Sequence, residues 1–415
     1  MPLKPESRVL YLTFDGALEP LGRSQVISYL LRLSDRGYRY VLVSLEREVD
    51  QANLSSVQRL RQELQHHNIL WVYGLYRNGG TFWTVLTNCI TALRISFRTI
   101  REGDVALIHA RGHVPTMMAW ILRLVSGVPY LFDMRGYWID ERVAERRWFT
   151  YPFVYKLAKR FELKLLRDSV GIIVLTQLMA DDLRAKPLRN WNSGLLTVVP
   201  TCADYDEFKP ENKRGGMVLS EVQSRLHNSL VIGWVGSLNA SYYPHESVLL
   251  FRYVLEQIPT AHLLALTRQR TQLEMILANH GIPRWAHTIV TVPHDEMPAW
   301  LSLMDWGLLL VSDGQSKRGS MPTKLAEFFA SEVRPIQYGC NAELAEKVQQ
   351  AGTGLVLNGL SENDLRRAAS EIASRPRDQD ATKRGRNSTR QYFGLEAGVD
   401  KYAAVLDKIL VKEIR

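Results

Sequence analysis

The chain has 415 residues, of which 46% are hydrophobic, and a net charge of +9. This length exceeds the roughly 250–300 residues at which one hydrophobic core stops growing, so we expect two domains, and the composition excludes disordered and fibrous proteins. Most of the excess positive charge lies in residues 1–205, which predicts an anionic partner such as a lipid surface, a lipid diphosphate or a nucleic acid.

The cysteines are few and far apart, at Cys89, Cys202 and Cys340. This pattern favours a reducing compartment over a disulfide framework. The sequence shows no N-terminal signal peptide and no apolar run near the ~18–20 residues that a membrane span needs. We therefore expect a cytoplasmic protein that is at most peripheral at the inner face of the membrane.

Short apolar runs recur along the chain with helical segments between them. Nearly continuous runs of this kind are typical of parallel strands buried on both faces, and the alternation predicts two doubly wound α/β sheets. A helix is predicted over 24–36, ending at Gly37. The predicted strands lie in 8–14, 40–45, 69–75, 105–110, 130–134, 171–176 and 195–200, then in 230–237, 261–267, 288–293, 306–311, 334–339 and 353–358.

A polar, turn-rich stretch at 209–216 predicts the domain boundary. We expect an N-terminal domain over 1–208 and a C-terminal domain over 217–387. A last helical segment, 388–415, is expected to pack back on the N-terminal domain.

The first strand is followed by a glycine-containing loop and then by a helix. The loop contains Gly16, Gly22, Arg23 and Ser24. Glycine allows the backbone to approach a diphosphate closely, although an ordinary strand–turn–helix connection uses the same residues.

Polar residues follow two further strands of the first half. His113, placed after 105–110, is a candidate to bind a donor sugar or orient an acceptor, whereas His109 lies within the apolar run and is expected to be a core residue. Arg111 is a candidate to contact a phosphate, and the alternative is that its side chain only packs over the helix. Asp133 and Arg135 lie at the end of the next strand. They are candidates to contact the acceptor, and the alternative is that they only form an ion pair with each other.

In the second half, the segment Met321-Pro322-Thr323-Lys324 begins a predicted helix after a buried strand. Proline is tolerated at the first helical position, and the free N–H groups of a first helical turn attract anions. Lys324 adds a positive charge, and Glu327 lies on the same face, where a carboxylate is suited to the hydroxyls of a ribose. The alternative is a solvated Lys–Glu pair.

These stretches together resemble the family 4 retaining glycosyltransferases, which have the GT-B fold. SMPTKLAEFFA (320–330) is similar to the family's nucleotide-binding segment, and related similarities extend over most of the chain. The other matching stretches are 20–46, 109–120, 132–143, 172–183, 198–208 and 232–246. The resemblance implies two Rossmann-like domains that face each other across a cleft, with a nucleotide-sugar between them.

The resemblance also implies roles for individual residues. Lys324 would face the diphosphate and Glu327 would hold the ribose. With His113, and with Arg268 as a substitute for a basic pair that is missing here, Lys324 would form the catalytic set. The acceptor would be bound by Arg111, Asp133 and Arg135. The remaining donor-binding residues would be Gly16, Gly22, Arg23, Ser24, Gly236, Ser237, Ser320, Met321, Pro322 and Thr323.

Three positions depart from the family pattern. Gly319 stands where the family often has a first glutamate near the donor sugar. The common basic pair is missing from 237–246, so Lys324, then Arg268, then Lys317 and Arg318 are the candidates to neutralise the diphosphate. Glu332 stands where a glycine is common.

No metal or other cofactor is expected. Asp204-Tyr205-Asp206 has the spacing of a metal-binding DxD, but its position predicts an interdomain turn instead. Two stretches mix aromatic and basic residues, 82–101 and 148–167, and predict contact with an anionic membrane surface, unless they are ordinary amphipathic helices covering a sheet. No nucleic-acid-binding motif accompanies the charge, so nucleic acid is not expected as a partner.

The sequence therefore predicts a metal-independent retaining glycosyltransferase. It would move a sugar from a nucleotide-sugar to a hydroxyl of a sugar or lipid-linked acceptor, in surface polysaccharide or glycoconjugate biosynthesis. Two alternatives stay open: a nucleotide-sugar epimerase on the same fold, and a non-catalytic partner or scaffold, which the departures from the family pattern motivate.

Overall fold

Two parallel sheets organise the chain, one in each of two units. The computed structural model describes residues 7–79, 82–144, 151–186, 195–211, 217–375 and 377–412. The first unit comprises Met1–Pro200 and Leu395–Arg415, and the second comprises Thr201–Gly394.

The sheet of the first unit has seven strands in the order β3-β2-β1-β4-β5-β6-β7, and all neighbours pair in parallel. This is a doubly wound order that reverses between the first and fourth strands. The strands are β1 (Arg8–Leu12), β2 (Tyr40–Arg47), β3 (Leu70–Tyr76), β4 (Val105–Arg111), β5 (Tyr130–Met134), β6 (Gly171–Val174) and β7 (Leu196–Val198).

Helices connect these strands. The helix predicted over 24–36 is observed as one continuous helix with a π-helical turn at Arg23–Ile27, and Gly37 follows it with a φ of 96°. The helices of this part are α1 (Pro20–Gly22), α2 (Ser28–Asp35), α3 (Glu48–Gln51), α4 (Leu54–His66), α5 (Phe82–Glu102), α6 (His113–Ser126), α7 (Trp138–Ala144), α8 (Pro152–Asp168) and α9 (Gln177–Arg184).

The second unit repeats this plan with six parallel strands in the order β10-β9-β8-β11-β12-β13. Its strands are β8 (Val231–Val235), β9 (His262–Leu266), β10 (His287–Val290), β11 (Trp306–Leu310), β12 (Arg334–Tyr338) and β13 (Leu355–Val356). Its helices are α10 (Met217–Leu226), α11 (Pro244–Gln257), α12 (Arg270–Asn279), α13 (Met297–Leu301), α14 (Thr323–Ala330), α15 (Ala342–Ala351), α16 (Glu362–Ser374) and α17 (Gln379–Phe393).

Each of the thirteen predicted apolar runs overlaps an observed strand. The central strands are buried along their whole length, as in β5, β8, β9 and β11. Residues covered on both faces must be apolar at successive positions, which is why these runs do not alternate. Among the described helices, none combines the length and hydropathy needed to cross a bilayer.

The unit boundaries differ from the predicted ones. The chain passes from the first unit to the second after Pro200 and not at the predicted residue 208. The reason is that Thr201 and Ala203 already form hydrogen bonds with residues of the second unit. The predicted linker residues 212–216 lie outside the described residues. The predicted helix 388–415 is in fact the end of α17 in the second unit and then, after Gly394, α18 (Leu395–Lys412) in the first.

The backbone conformation at Glu332 explains why the family commonly has a glycine at this position. Glu332 follows α14 with a φ of 60°, in the left-handed region, and the N–H of Val333 closes the helix end on the carbonyl of Phe328 at 2.9 Å. Glycine adopts this backbone conformation without the steric cost that a Cβ brings.

We therefore expect Glu332→Gly to be more stable than Glu332→Ala by about 1 kcal/mol. Both substitutions remove the carboxylate and its contact with Thr382, so only the backbone cost separates them. Urea unfolding of the two variants measures the difference. Equal midpoints and slopes would contradict the assignment of strain to this position.

Candidate functional site

The candidate site in the second unit lies at the carboxyl edge of its sheet, where the strand order reverses between β8 and β11. Doubly wound sheets bind ligands at this switch point. Gly307 in β11 brings α14 close to the sheet, since a Cβ there would lie 2.5 Å from the Phe328 ring. The N-terminus of α14 is thereby set beside the loop that follows β8.

Pro322 is the N-cap of α14 and Thr323 is its first residue, which corrects the prediction that Pro322 is the first helical residue. The backbone of Pro322 is extended, with a ψ of 132°, and Pro322 is the last residue of the loop that precedes α14. The loop is tied down through its carbonyls: Thr201 Oγ1 donates to Met321 O at 2.9 Å, and Asn341 Nδ2 donates to Ser320 O at 2.7 Å. The first turn of α14 is thereby held at the sheet edge. Its Leu325 N–H donates to Pro322 O at 3.2 Å, whereas the N–H groups before it belong to the part of a helix that has no intrahelical acceptor.

Lys324 is a buried cation on aromatic faces. Its Nζ lies 3.6 Å from the centre of the Tyr242 ring and 5.4 Å from that of Trp234. The side chain is 9% exposed, and a Cβ at Gly236 would lie 3.7 Å from Nζ. Burial lowers the pKa of the Lys324 ammonium to about 7, and the nearby Glu327 only partly opposes this shift. An anion placed beside Nζ would restore its full charge.

Glu327 is the second titrating group of the site, one turn further along α14. Burial raises the pKa of its carboxyl to about 7, Lys324 opposes the rise and Glu207 adds to it. The side chain is half-buried. A carboxyl in this position can accept hydrogen bonds from vicinal hydroxyls, which is the role predicted for it.

The loop after β8 completes this edge. Gly236 has a φ of 95°, and its carbonyl accepts from Trp234 Nε1 at 3.2 Å. Ser237 is exposed, and the N–H of Leu238 donates to Gln269 Oε1 at 2.6 Å, which ties this loop to the one after β9. Arg268 lies in that neighbouring loop and is exposed. Arg268 therefore places a second positive charge after β9, the strand that pairs with β8.

Several other residues that the sequence analysis singled out also lie in the second unit. Lys317 and Arg318 are partly buried in the loop before α14, and Gly319 is buried. Asp204 Oδ1 accepts from the N–H groups of Asp206 and Glu207 at 2.9 and 3.1 Å, so it caps a turn. Among the described residues, no cluster of three histidine, cysteine or acidic side chains forms a metal site.

In the first unit the glycine loop after β1 is closed by a buried carboxylate that the sequence analysis missed. Glu46, at the end of β2, accepts from Ala17 N at 2.8 Å and Leu18 N at 3.1 Å. Gly22 packs against the Gly16 carbonyl so closely that a Cβ would lie 1.9 Å from the oxygen. The glycines thus allow a tight loop, and two of its N–H groups already have a protein acceptor.

Two other residues predicted to bind the donor have local partners. Arg23 forms a two-pronged ion pair with Glu63 on α4, with Nη–Oε distances of 2.6 and 2.7 Å. Ser24 Oγ donates to Leu21 O at 3.4 Å. The Arg23 side chain is 37% exposed, so only part of it faces solvent.

Asp133 is fully buried at the carboxyl edge of the first sheet, so it does not contact solvent as an acceptor-binding carboxylate would. Tyr402 OH donates to Oδ2 at 2.9 Å and Arg135 Nη1 to Oδ1 at 3.2 Å, while Arg111 Nη1 lies 3.6 Å from Oδ2. Burial alone would raise its pKa, but the two guanidinium groups and His109 hold the pKa of Asp133 well below its usual range.

The network of Asp133 reaches the surface through two residues. Arg111 is 4% exposed and donates from Nε to Asp15 Oδ2 at 2.8 Å, whereas the Asp15 side chain is 37% exposed. Arg135 is 15% exposed. Asp15 follows β1 at the point where the strand order reverses. It was not chosen as a site residue, although its position directly after the predicted strand in 8–14 is the signal that could have found it.

His113 begins α6 and is buried against α8. Its Nε2 lies 3.0 Å from Glu162 Oε1, and its ring stacks on Trp138 at 5.9 Å. Burial would raise the pKa of Glu162, but His113 and Lys159 lower it to about 2. His109 lies in the core, as expected, and packs on the Tyr11 ring at 4.4 Å.

Part of the chain matches a known family. Residues 25–200 match the family model described as "Glycosyl transferase 4-like domain". The predicted resemblance is confirmed over this segment, in that residues 25–200 are similar to glycosyl transferase 4-like domains. No curated protein matches the chain.

Solved structures with similar folds cover nearly the whole chain. HepE from Anabaena, in complex with UDP and glucose, is 13% identical, has a TM-score of 0.66 and aligns over 96% of this chain and 99% of its own. A glycosyltransferase from Rickettsia africae is 14% identical, at the same TM-score, over 98% and 99%. Sucrose-phosphate synthase from Thermosynechococcus elongatus is 13% identical, again at 0.66, over 98% and 100%. The predicted GT-B fold class is confirmed.

Proposed function

We propose that this protein is a retaining glycosyltransferase that transfers a sugar from a nucleoside-diphosphate sugar to an acceptor hydroxyl. The observation that carries the proposal is the Lys324–Glu327 pair at the start of α14, beside Gly236 at the switch point of the second sheet. A buried lysine and first-turn N–H groups suit a diphosphate, and a carboxyl one turn further suits a ribose. The similarity to glycosyltransferases supports the assignment.

In the proposed reaction, the acceptor oxygen bonds to the anomeric carbon on the face from which the diphosphate departs. The bond between that carbon and the phosphate oxygen breaks, and the acceptor proton passes to the departing phosphate oxygen. No metal is required in this scheme. Lys324 stabilises the negative charge that grows on the leaving group, with Arg268 as the second cation.

The role of the first unit in this proposal is to bind the acceptor. Asp15 and Arg135 are the members of its buried network that reach the surface, and Asp133 and Arg111 hold them in position. His113 is proposed to position the start of α6 through Glu162. The glycine loop and Arg23 are proposed to lie on the donor side.

We further propose a place in surface polysaccharide or glycoconjugate assembly, at the inner face of the membrane. The positive charge of residues 1–205 supports an anionic or lipid-linked acceptor. The sparse cysteines support a reducing compartment.

The test is thermal unfolding in the presence of UDP, GDP, ADP and dTDP, with EDTA in a parallel series. UDP is the first choice because the similar protein HepE was solved with UDP. A nucleotide at ~100 times its dissociation constant stabilises by about 2.7 kcal/mol, which raises the unfolding temperature of a domain of this size by roughly 5–10 °C. We expect one base to give this shift with or without EDTA.

Glu327→Ala should abolish that shift, whereas Glu346→Ala, on the exposed side of α15, should retain it. If no nucleotide changes the unfolding temperature of the wild type, the proposal fails and a non-catalytic role replaces it. Conversion of the donor sugar without any acceptor would instead identify an epimerase.

A further inference from the structure

One face of the first unit presents an apolar helix stripe to solvent. α6 carries Val114, Met117, Ile121, Leu124 and Val125 at positions i, i+3, i+7, i+10 and i+11, which places them on one side of the helix. Ile121, Leu124 and Val125 are 37, 63 and 63% exposed. A helix of a globular domain normally buries such a stripe, so these residues indicate a binding surface.

The stripe leads into an apolar cavity of about 520 Å³ between α6 and its neighbours α5, α7 and α8. Its wall includes Cys89 of α5 together with Leu157 and Phe161 of α8. Leu157 is itself 56% exposed, and Phe153, one turn before it, is 75% exposed. The cavity and the α6 stripe thus form one continuous apolar surface, which we call the α6 face.

Basic residues flank the α6 face. On α8, Lys156, Arg160 and Arg167 are exposed and lie at i, i+4 and i+11, beside Phe153 and Leu157 on the helix surface. On α5, the exposed residues Arg94 and Arg98 accompany the exposed aromatic residues Trp83 and Phe97. Apolar and aromatic side chains bordered by lysine and arginine match the interface of an anionic membrane.

We propose that the α6 face docks on an anionic lipid bilayer, with its apolar stripe and cavity wall against the acyl chains and its basic flanks against the headgroups. The charge pattern argues for lipid rather than for a second copy of this chain. In a two-fold contact through this face, the basic residues of α8 and α5 would meet their own copies and repel.

Docking also points to an acceptor class, and this step rests on the proposed function. His113 and Glu162 are part of the cavity wall, and His113 follows the carboxyl end of β4. Asp15 lies at the same edge, through its bond to Arg111 of β4. A protein docked in this way would present that edge to a headgroup at the bilayer surface, so the class of acceptor inferred is a lipid-linked one.

The experiment is co-sedimentation of the full chain with vesicles, without any donor, so that it tests docking alone. Vesicles contain either phosphatidylglycerol with phosphatidylcholine or phosphatidylcholine only. We expect binding to the anionic vesicles and at least tenfold weaker binding of the double variant Leu124→Glu/Val125→Glu. The control Val49→Glu/Leu54→Glu, which changes exposed apolar residues of α3 and α4, should bind like the wild type.

A second variant tests the charges. Lys156→Ala/Arg160→Ala should bind anionic vesicles about fivefold more weakly per charge removed, and high salt should reduce this difference. Three outcomes would each overturn the proposal: no sedimentation with anionic vesicles, equal binding to both vesicle types, or an equal loss in the control. A wild-type dimer that Leu124→Glu/Val125→Glu converts to monomer would assign the α6 face to self-association instead.

Discussion

Lys324→Met is expected to lower kcat/KM for glycosyl transfer by about 10²–10³-fold, the range found when one preorganised donor to a developing negative charge is removed. Methionine keeps the apolar contacts with Tyr242 and Trp234 and removes only the ammonium. Because the lost interaction strengthens as the leaving group gains charge, kcat should fall more than KM rises.

The same site should make nucleotide binding depend on pH. The free-enzyme pKa of Lys324 is about 7, below its value in an unfolded chain because of burial. A bound diphosphate favours the charged form of Lys324, so above pH 7 Lys324 takes up a proton on binding, and this step lowers the affinity by up to tenfold per pH unit. Isothermal calorimetry in two buffers of different ionisation enthalpy measures this uptake directly. Glu327 titrates in the same range, so the measurement is repeated on Glu327→Gln to isolate the proton that Lys324 takes up.

Lys347→Met is the matched control for both measurements. Lys347 also lies over an aromatic ring, with its Nζ 4.6 Å from the centre of Tyr392, but it belongs to α15 and bonds to Gln350. It should keep the wild-type kcat/KM and pH profile. If Lys324→Met retained more than a tenth of wild-type turnover, or if both lysine variants lost it equally, Lys324 would not be the group that faces the leaving phosphate.

Asp133→Asn is expected to destabilise the first unit by about 3–5 kcal/mol, the usual result of removing one partner of a buried ionic network. The amide has almost the same shape, but it removes the carboxylate that faces Arg135 and leaves the buried Arg111 with Asp15 as its remaining carboxylate contact. Thermal unfolding followed by circular dichroism should show that the unfolding temperature of the first unit is lowered by roughly 6–20 °C. Asp140→Asn, which removes a half-buried partner of Lys159, should cost about 1 kcal/mol or less.

The pH dependence distinguishes this network from a simple packing effect. The folded-state pKa of Asp133 is held well below that of the unfolded chain, so its contribution is complete above about pH 4 and is lost as the pH falls further. The difference in unfolding free energy between wild type and Asp133→Asn should therefore be constant from pH 5 to 8 and narrow below pH 4. A difference that stayed unchanged down to pH 3 would show that the carboxylate charge is not what stabilises this edge.

The sequence alone located the strands and placed the start of the site helix to within one residue. A strand buried on both faces needs an unbroken apolar run, so every strand could be located before the structure was known. Likewise, the i, i+3 spacing of Lys324 and Glu327 places them on one helix face wherever that helix packs. Both features depend only on residues that are close together in the sequence, so they can be predicted without the tertiary structure.

Only the tertiary structure decided the surroundings of these residues. Asp133 looked like a carboxylate open to an acceptor, but Tyr402, 269 positions later in the chain, covers it and donates to it. Similarly, Lys324 lies over Tyr242, within the segment that lacks the family's basic pair. Burial and charge pairing depend on which distant segments meet. Spacing along the chain therefore supplied the candidate site residues, and the fold decided which of them reach solvent and how burial shifts their pKa values.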